Sequence, residues 1–245
     1  MQNQALYGLR PVLEAIESGK PLEKVFLEEG ARGELMTQLR RKLKEMEIPH
    51  QVVPSYRFNK LSANQKNHQG VVAFVSPVEY QEIEEVIQQV FENGDTPLIL
   101  VLDKVTDVRN FGALARTAEC MGAHAILIPG KGSATITDDA IKTSAGALLK
   151  IPVCRAHNLK SSLEYLKDSG LMLAAATEEG TTDCWDADLK GPLALIMGNE
   201  ETGVSPEYIK RCDLELKIPL KGTIESLNVS VAAGMLLYEC VRQRK

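Results

Sequence analysis

Short apolar runs alternate with helix-like segments along most of the chain, and this alternation constrains the fold more than any other feature. The runs lie at 98–102, 123–128, 151–154, 171–176, 192–197 and 214–218. Helix-like segments fall between most of them, at 113–121, 138–149, 159–168 and 206–211, and a long one covers 228–243. Strands that are apolar along their whole length are typical of a parallel sheet covered by helices on both faces. The sequence therefore predicts an α/β fold for residues 98–245.

The first 75 residues alternate in the same way over a shorter length. Helix-like segments at 8–18 and 33–47 are interspersed with strand-like runs at 24–27, 51–53 and 71–75. This pattern predicts a small α/β domain at residues 1–75. Residues 76–97 then carry six acids and no base between turn residues. We expect them to form a short acidic helix that links two domains.

Composition excludes several classes of protein. The chain has 245 residues, of which 44% are hydrophobic and 25% charged, as in ordinary globular proteins. No apolar run approaches the roughly 18–20 residues that span a bilayer, and the first residues lack a signal-peptide pattern. The five cysteines form no CxxC pair and the four histidines are isolated, which argues against a disulfide framework or a metal site. We expect a cytoplasmic protein without a metal and without a membrane partner.

The net charge of −5 argues at first sight against a nucleic-acid partner. The charge is unevenly distributed, however, because residues 32–68 hold eight Lys and Arg against three Glu, a net of +5. This segment is either an RNA-binding surface or an ordinary solvated one, since exposed helices are commonly rich in bases. Tyr56 and Phe58 either stack on a base or pack in the core. The candidate RNA contacts are Arg40, Arg41, Lys44, Arg57, Lys60, Lys66 and His68.

Three polar loops follow predicted strands and carry the candidate site. They contain NFGALARTA at 110–118, GNEETG at 198–203 and IPLKGTIESLNVSVA at 218–232. Ligands of open parallel sheets bind beyond the carboxyl ends of the strands, so these loops are placed to line one crevice. Each loop alone is equally consistent with a turn or a helix cap. The chain has no GxGxxG after its first parallel strand and no GxxxxGK[ST], which disfavours dinucleotide-binding and P-loop enzymes.

Taken in this order, the three segments resemble the motifs of the SpoU (TrmH-like) branch of the SPOUT methyltransferases. With YGLRPVLEAI near the start, NHQGVVAFV before the linker and VRQRK at the end, the chain is most similar to the bacterial 23S ribosomal RNA guanosine-2′-O-methyltransferases. The resemblance implies S-adenosylmethionine (AdoMet) as methyl donor, a trefoil knot in the carboxyl-terminal part, and an N-terminal domain like ribosomal protein L30e. It also implies a homodimer with active sites shared across its interface.

The resemblance also assigns roles to residues of the three loops. Asn110 and Arg116 would bind the acceptor nucleotide and its phosphate, with Glu200 supporting the site. Because a guanidinium does not readily give up or accept a proton, we favour Arg116 as a phosphate clamp over a general base. Ser226 and Asn228 would line the same pocket. The donor would be bound near Gly198, Gly203, Ile218, Gly222 and Leu227.

Three alternatives remain at this level. Relatives that methylate transfer RNA share the motifs, so the RNA substrate is open. A non-catalytic RNA-binding or ribosome-assembly protein on the same scaffold is disfavoured by the intact motif residues. A small-molecule α/β enzyme is disfavoured by the missing phosphate-binding glycines and by the additional basic domain.

Overall fold

A computed structural model describes residues 4–62 and 67–245. The chain divides into two compact units, residues 1–79 with 136–138 and residues 80–135 with 139–245. None of the helices within the described ranges is long and apolar enough to cross a membrane.

The first unit contains a four-stranded sheet in the order β1-β4-β2-β3. β2 and β3 are parallel, and the other two pairings are antiparallel. The apolar faces of α1 and α2 pack with β2 and β4 in one core. The buried residues recur at helical spacing in each helix, as Val12 and Ile16 do in α1 and Leu39 and Leu43 in α2. Its elements are β1 (Ala5–Tyr7), α1 (Leu9–Glu17), β2 (Leu22–Glu28), α2 (Glu34–Glu45), β3 (His50–Val53), α3 (Ser55–Leu61) and β4 (Val71–Val75).

The second unit contains an eight-stranded sheet in the order β10-β12-β9-β11-β6-β7-β8-β5. All its pairings are parallel, which confirms the predicted α/β fold with a parallel sheet. Its elements are β5 (Tyr80–Gln81), α4 (Ile83–Glu92), β6 (Leu98–Leu102), α5 (Val108–Cys120), β7 (Ala125–Pro129), α6 (Asp138–Thr143), a 3₁₀ helix (Ala147–Leu149), β8 (Val153–Ala156), α7 (Leu159–Asp168), β9 (Met172–Ala176), β10 (Thr182–Asp183), β11 (Leu193–Met197), α8 (Pro206–Ile209), β12 (Leu214–Lys217) and α9 (Val229–Gln243).

The central strands explain the sequence pattern from which the sheet was predicted. Every residue of β6 and of β11 is buried, since both faces of these strands are covered. Burying one such Leu or Ile side chain stabilises the fold by about 1.5–3 kcal/mol. A strand in this position therefore tolerates no polar residue, and the chain changes to polar side chains only where each strand ends.

The acidic segment at 76–97 does not form the linker that we expected. β5 pairs with β8 in the second sheet, and α4 buries Ile83, Val86, Ile87 and Val90 in the core of the second unit. The apolar positions of α4 follow the helical period, so its acids occupy the opposite, solvent-facing side. Counting acids alone missed this amphipathic pattern, and residues 80–97 belong to the second unit.

Candidate active site

Four neighbouring strands bring their carboxyl ends to one edge of the sheet. β6, β11, β9 and β12 are adjacent in that spatial order and parallel. The segments that follow them are residues 103–107, 198–205, 177–181 and 218–228. Three of these were predicted to lie at a shared crevice, whereas the segment after β9 was not singled out.

Asp107, not Asn110, caps the first helix of the site. Its Oδ1 accepts hydrogen bonds from the backbone N–H groups of Arg109 at 2.9 Å and Asn110 at 2.8 Å. α5 therefore begins at Val108, five residues earlier than predicted, and Asn110 lies inside its first turn. With the cap supplied by Asp107, the side chain of Asn110 is available for other contacts.

Three of the predicted site residues form one hydrogen-bonded cluster. Asn110 Nδ2 donates to Glu200 Oε1 at 2.7 Å. Asn228 Nδ2 donates to the same oxygen at 2.8 Å and to Asn110 Oδ1 at 3.0 Å. These residues are 90 and 118 positions apart in the chain, so the fold alone brings them together. We call Asn110, Glu200 and Asn228 the amide–carboxylate cluster.

Asn228 is held by the helix that it starts. It is the N-cap of α9, and its Oδ1 accepts from the backbone N–H of Ser230 at 3.0 Å and from the Ser230 hydroxyl at 2.5 Å. This contact fixes the orientation of the Asn228 amide, because the oxygen faces the helix and the nitrogen faces the cluster. Ser226, which was expected to line the same pocket, lies in the exposed segment before α9.

Glu200 lies at the tip of a tight loop. The backbone groups of Asn199 and Gly203 exchange two hydrogen bonds, at 3.1 Å and 2.8 Å. Gly203 has a φ of 63°, in the left-handed region that favours glycine. At Gly198 a Cβ atom would lie 2.0 Å from the carbonyl carbon of Gly203. The two glycines predicted in this motif are thus required by backbone geometry.

The third loop is exposed and leaves its backbone unpaired. All residues from 221 to 228 are exposed, and Ile218 is half-buried at the end of β12. Across the described ranges, no hydrogen bond involves residues 219–227. Gly222, Ser226 and Leu227 consequently make no hydrogen bond to the cluster. This segment offers a row of free N–H and C=O groups next to it.

Arg116 does not join the cluster within this chain. It is exposed on α5, and its side chain makes no hydrogen bond or ion pair with the described residues. Six helical positions separate it from Asn110, which corresponds to about 9 Å along the axis and about 120° around it. The expectation that both side chains face the same crevice is therefore not met by one copy of the chain.

The loop after β9 contains a site signal that sequence reasoning missed. The hydroxyl group of Thr177 is buried and has no hydrogen-bond partner within the described ranges. An added Cβ at Gly180 would lie 2.6 Å from the backbone of Leu216, so this loop packs closely on β12. The available signal was a threonine at the end of an apolar run, followed within three residues by a glycine.

A cavity adjoins the cluster. It is lined by residues 105–107, 199–201 and Val229. Its walls thus come from the segments that follow β6 and β11 and from the start of α9. Over the described part of the chain, no group of three or more His, Cys, Asp or Glu side chains could hold a metal ion.

The predicted RNA contacts separate into two groups in the first unit. On α2, Arg40, Arg41 and Lys44 are exposed, and Arg41 lies 3.6 Å from Glu45. On α3, Arg57 and Lys60 are exposed and form no ion pair with the described residues.

The two aromatic residues of α3 have different environments. Phe58 is fully buried, which settles it as a core residue, and the ring of His68 lies 4.9 Å from it. Tyr56 is 71% exposed. His68 also accepts a hydrogen bond from the N–H of Gly70, so it helps to shape the turn before β4. The remaining predicted contact, Lys66, lies outside the described residues.

A parallel sheet with a polar cluster and a cavity at its carboxyl edge defines an α/β enzyme, and comparisons with known proteins identify its kind. Residues 97–238, more than half of the chain, match the profile of the SpoU rRNA Methylase family. Residues 5–81 match a profile described as RNA 2′-O ribose methyltransferase substrate binding.

Two individual relatives align with nearly the whole chain, and a third aligns with two thirds of it. YacO of Bacillus subtilis (strain 168), whose name assigns it to the TrmH family of tRNA/rRNA methyltransferases, is 35% identical over 99% of this chain and 97% of its own. The SpoU methyltransferase AviRb from Streptomyces viridochromogenes, solved with AdoMet, is 25% identical with a TM-score of 0.61, covering 98% of this chain and 90% of its own. The A. aeolicus TrmH/SpoU tRNA modifying enzyme is 28% identical with a TM-score of 0.55 over 66% of this chain and 83% of its own.

The chain belongs to the SpoU rRNA Methylase family. It is an AdoMet-dependent RNA methyltransferase.

Proposed function

We propose that the protein transfers a methyl group from AdoMet to a ribose 2′-hydroxyl of a guanosine in 23S ribosomal RNA, in the cytoplasm. The observation that carries this proposal is the amide–carboxylate cluster, assembled from three motif loops, the third of which also has free backbone groups. The substrate-binding profile matched by residues 5–81 supports the 2′-hydroxyl as acceptor. Transfer RNA is the alternative substrate, because the relatives' names include both RNA classes.

The residues present fit AdoMet as the donor. Residues 219–227 offer unpaired N–H and C=O groups that suit an adenosine and an amino-acid moiety. Gly198 lets the neighbouring backbone pack without a side chain between, and the buried Thr177 hydroxyl still needs a partner. We assign Gly198, Gly203, Ile218, Gly222 and Leu227 to this donor site. AdoMet supplies a methyl group bonded to a positively charged sulfur.

The hydrogen bonds within the cluster indicate different roles for Asn110 and Asn228. Both N–H bonds of the Asn228 amide are used within the cluster, and its oxygen is used by Ser230. Asn110 keeps one spare N–H, and Glu200 keeps spare acceptor capacity. We therefore assign Asn110 to the acceptor ribose and Asn228 to positioning Asn110 and Glu200.

Aligning the ribose hydroxyl supplies much of the rate, since a hydroxyl is a poor nucleophile that must also lose its proton. Arg116 would bind the acceptor's phosphate rather than accept the proton, because a guanidinium stays protonated. Ser226, exposed in the loop before α9, would complete the acceptor pocket.

A homodimer would bring Arg116 to a site that one chain leaves incomplete. α9 exposes Val231, Met235 and Tyr238, which are 51%, 46% and 60% accessible and fall on one helical face. An apolar stripe of this kind suits an isologous contact with a second copy of the chain. We propose that this contact forms the dimer and that Arg116 acts at the partner's site.

Two architectural features complete the proposal. We propose that the carboxyl-terminal part of the second unit forms the trefoil knot of the family, as membership of the SpoU family suggests. We also propose that the first unit is an L30e-like RNA-binding module, which its mixed four-stranded sheet with packed helices would suit. An experimental structure of the full chain tests both.

The first unit would bind RNA through α3 more than through α2. The described residues of 48–75 include no acid, and Tyr56 and Lys60 lie one helical turn apart on the exposed side of α3. An exposed aromatic ring beside cations suits stacking on an unpaired base, worth about 1–3 kcal/mol. We retain Arg40, Arg41, Lys44, Lys66 and His68 as further proposed contacts.

A binding titration with a 20-nucleotide unstructured RNA tests this surface. Tyr56→Ala should weaken binding about 5- to 150-fold, and Tyr56→Phe should retain it, since stacking needs only the ring. Arg40→Ala on α2 is the comparison variant and should have the smaller effect. Equal affinity of Tyr56→Ala and the wild type would refute stacking.

Radiolabelled methyl transfer tests the reaction. The protein and AdoMet would be incubated with unmodified 23S ribosomal RNA and with unmodified transfer RNA, and the labelled nucleoside identified after digestion. We expect 2′-O-methylguanosine from 23S RNA and none with Asn110→Ala. Asn93→Ala, an exposed asparagine after α4, is the matched control and should retain full activity. Label in transfer RNA alone would refute the substrate, and label on a base would refute the 2′-hydroxyl.

A further inference from the structure

We propose that Asp103 is a positioning residue that fixes Glu200 beside Asn110. Asp103 directly follows β6 and is only 1% exposed. Its Oδ2 accepts a hydrogen bond from the backbone N–H of Ser205 at 2.7 Å. Ser205 is 8% exposed, so the bond lies inside the protein. A buried carboxylate that accepts a backbone N–H makes a strong, directional contact.

The residue after Asp103 strengthens this connection. Lys104 Nζ donates to the hydroxyl of Ser205 at 2.8 Å, and the carbonyl of Lys104 accepts from Asn199 Nδ2 at 3.0 Å. Lys104 has a φ of 58°, a left-handed conformation that a lysine retains only where its surroundings fix it. We call the contacts among Asp103, Lys104, Asn199 and Ser205 the loop clamp.

The loop clamp fastens both ends of the segment that carries Glu200. At its start, the N–H of Asp103 donates to the carbonyl of Met197 at 2.8 Å, and Asn199 reaches Lys104. At its end, Ser205 is bound by Asp103 and Lys104. Glu200 lies between these attachments, so its position relative to Asn110 depends on them.

The side chain of Ser205 does not cap α8. Serine before a proline at the first helical position usually caps the helix, as the sequence of α8 suggests. In the structure its side chain makes no capping hydrogen bond in α8 and instead accepts from Lys104. The N–H and the hydroxyl of Ser205 thus both bond the segment after β6, and these bonds connect the first motif loop with the second.

The expected effect of Asp103 on methyl transfer rests on the proposed function of Glu200. The effect of Asp103 on the conformation of the loop can be tested without assuming that function. Four variants would be compared: Asp103→Ala, Asp103→Asn, Glu200→Gln and the double variant Asp103→Ala with Glu200→Gln. Asp213→Ala is the matched control, because its carboxylate also accepts a backbone N–H, that of Leu173 at 3.0 Å, at the amino end of β9. Single-turnover methyl transfer and hydrogen–deuterium exchange of residues 198–205 are measured at saturating AdoMet and RNA.

We expect Asp103→Ala to slow methyl transfer about 10- to 100-fold, the effect of misplacing a reacting group by about 1 Å. Exchange of residues 198–205 should accelerate in the same variant. Asp103→Asn retains an acceptor but loses the negative charge, so it should show the same two effects at a smaller, still measurable size. Because its side chain is isosteric, this variant decides the test if the alanine variant does not fold. When Glu200→Gln is already present, adding Asp103→Ala should slow methyl transfer by less than about threefold, since the carboxylate that Asp103 positions is already lost.

Several results would overturn the clamp. Unchanged exchange of residues 198–205 in both Asp103 variants would do so, as would a rate loss for Asp213→Ala as large as that for Asp103→Ala. If the rate losses of Asp103→Ala and Glu200→Gln were fully additive in the double variant, Asp103 would act on general stability and not through Glu200. A wild-type rate for Glu200→Gln would instead refute the role of Glu200 under the proposed function and remove the catalytic consequence, while the exchange data still decide the clamp.

Discussion

Replacing Gly198 by alanine is the sharpest single perturbation of the site. A Cβ there would lie 2.0 Å from the carbonyl carbon of Gly203 and 2.1 Å from the nitrogen of Val204. Nonbonded carbon atoms normally approach to about 3.5–4.0 Å, so the loop would have to move by at least about 1.5 Å. The obstructing atoms are backbone, which no side-chain rotation can relieve.

The expected cost follows from the contacts that such a movement breaks. The Asn199–Gly203 pair loses two backbone hydrogen bonds, now 3.1 Å and 2.8 Å long, at about 1 kcal/mol each. If Ser205 follows, its bond to Asp103 contributes about 1.5–3 kcal/mol more. We therefore expect Gly198→Ala to lower the free energy of unfolding by about 2–5 kcal/mol. Because Glu200 lies in the displaced loop, methyl transfer should fall at least about 100-fold.

Urea denaturation and single-turnover methyl transfer measure the two effects. Gly191→Ala is the control, since its added Cβ would meet no atom within 4 Å and Gly191 precedes the other end of β11. We expect the control to stay within about 0.5 kcal/mol of the wild type, with full activity. A Gly198→Ala protein with wild-type stability and rate would refute the account of this loop, because the overlap would then have been absorbed without displacing Glu200.

Three further outcomes are expected. Arg116→Lys should lose at least about 100-fold in methyl transfer while retaining AdoMet binding by calorimetry, because a lysine cannot bind phosphate in a bidentate manner; near-normal turnover would refute the phosphate clamp. Met235→Glu should give a monomer in light scattering and no methyl transfer, since it charges the apolar stripe of α9; an active dimer would place the interface elsewhere. Burial lowers the pKa of His124 below its usual 6.5, so the unfolded chain binds more protons. The urea concentration at the unfolding midpoint should accordingly stay constant above about pH 6.5 and decrease as the pH falls below it. The decrease should be smaller in His124→Asn, which keeps an acceptor for the N–H of Leu98. An equal decrease in the variant and the wild type would contradict this.

Elements with a complete local signal could be predicted from the sequence. β6 at 98–102 has the predicted bounds because it is a fully apolar run. α7 at 159–168 also has the predicted bounds, because Asn158 caps its first turn. The predicted helix at 138–149 breaks into α6 and a 3₁₀ helix, since Ala145 and Gly146 adopt positive φ. β1 and β10 were missed because strands of two or three residues exist only through their pairing with distant strands.

The three residues of the amide–carboxylate cluster could be singled out from the sequence, but the contacts between them could not. Polar residues at the ends of apolar runs could be recognised one loop at a time. Which loops meet depends on strand order, and β11 pairs with β6 although four other strands separate the two in the chain. The Asn110–Glu200 contact therefore arises from the pairing of β6 with β11, which aligns Leu102 with Met197 one residue before each polar segment. A one-residue shift of β11 against β6 would turn the side chains of one strand to the opposite face of the sheet. The strand pairing that stabilises the fold therefore also sets the geometry of the reaction.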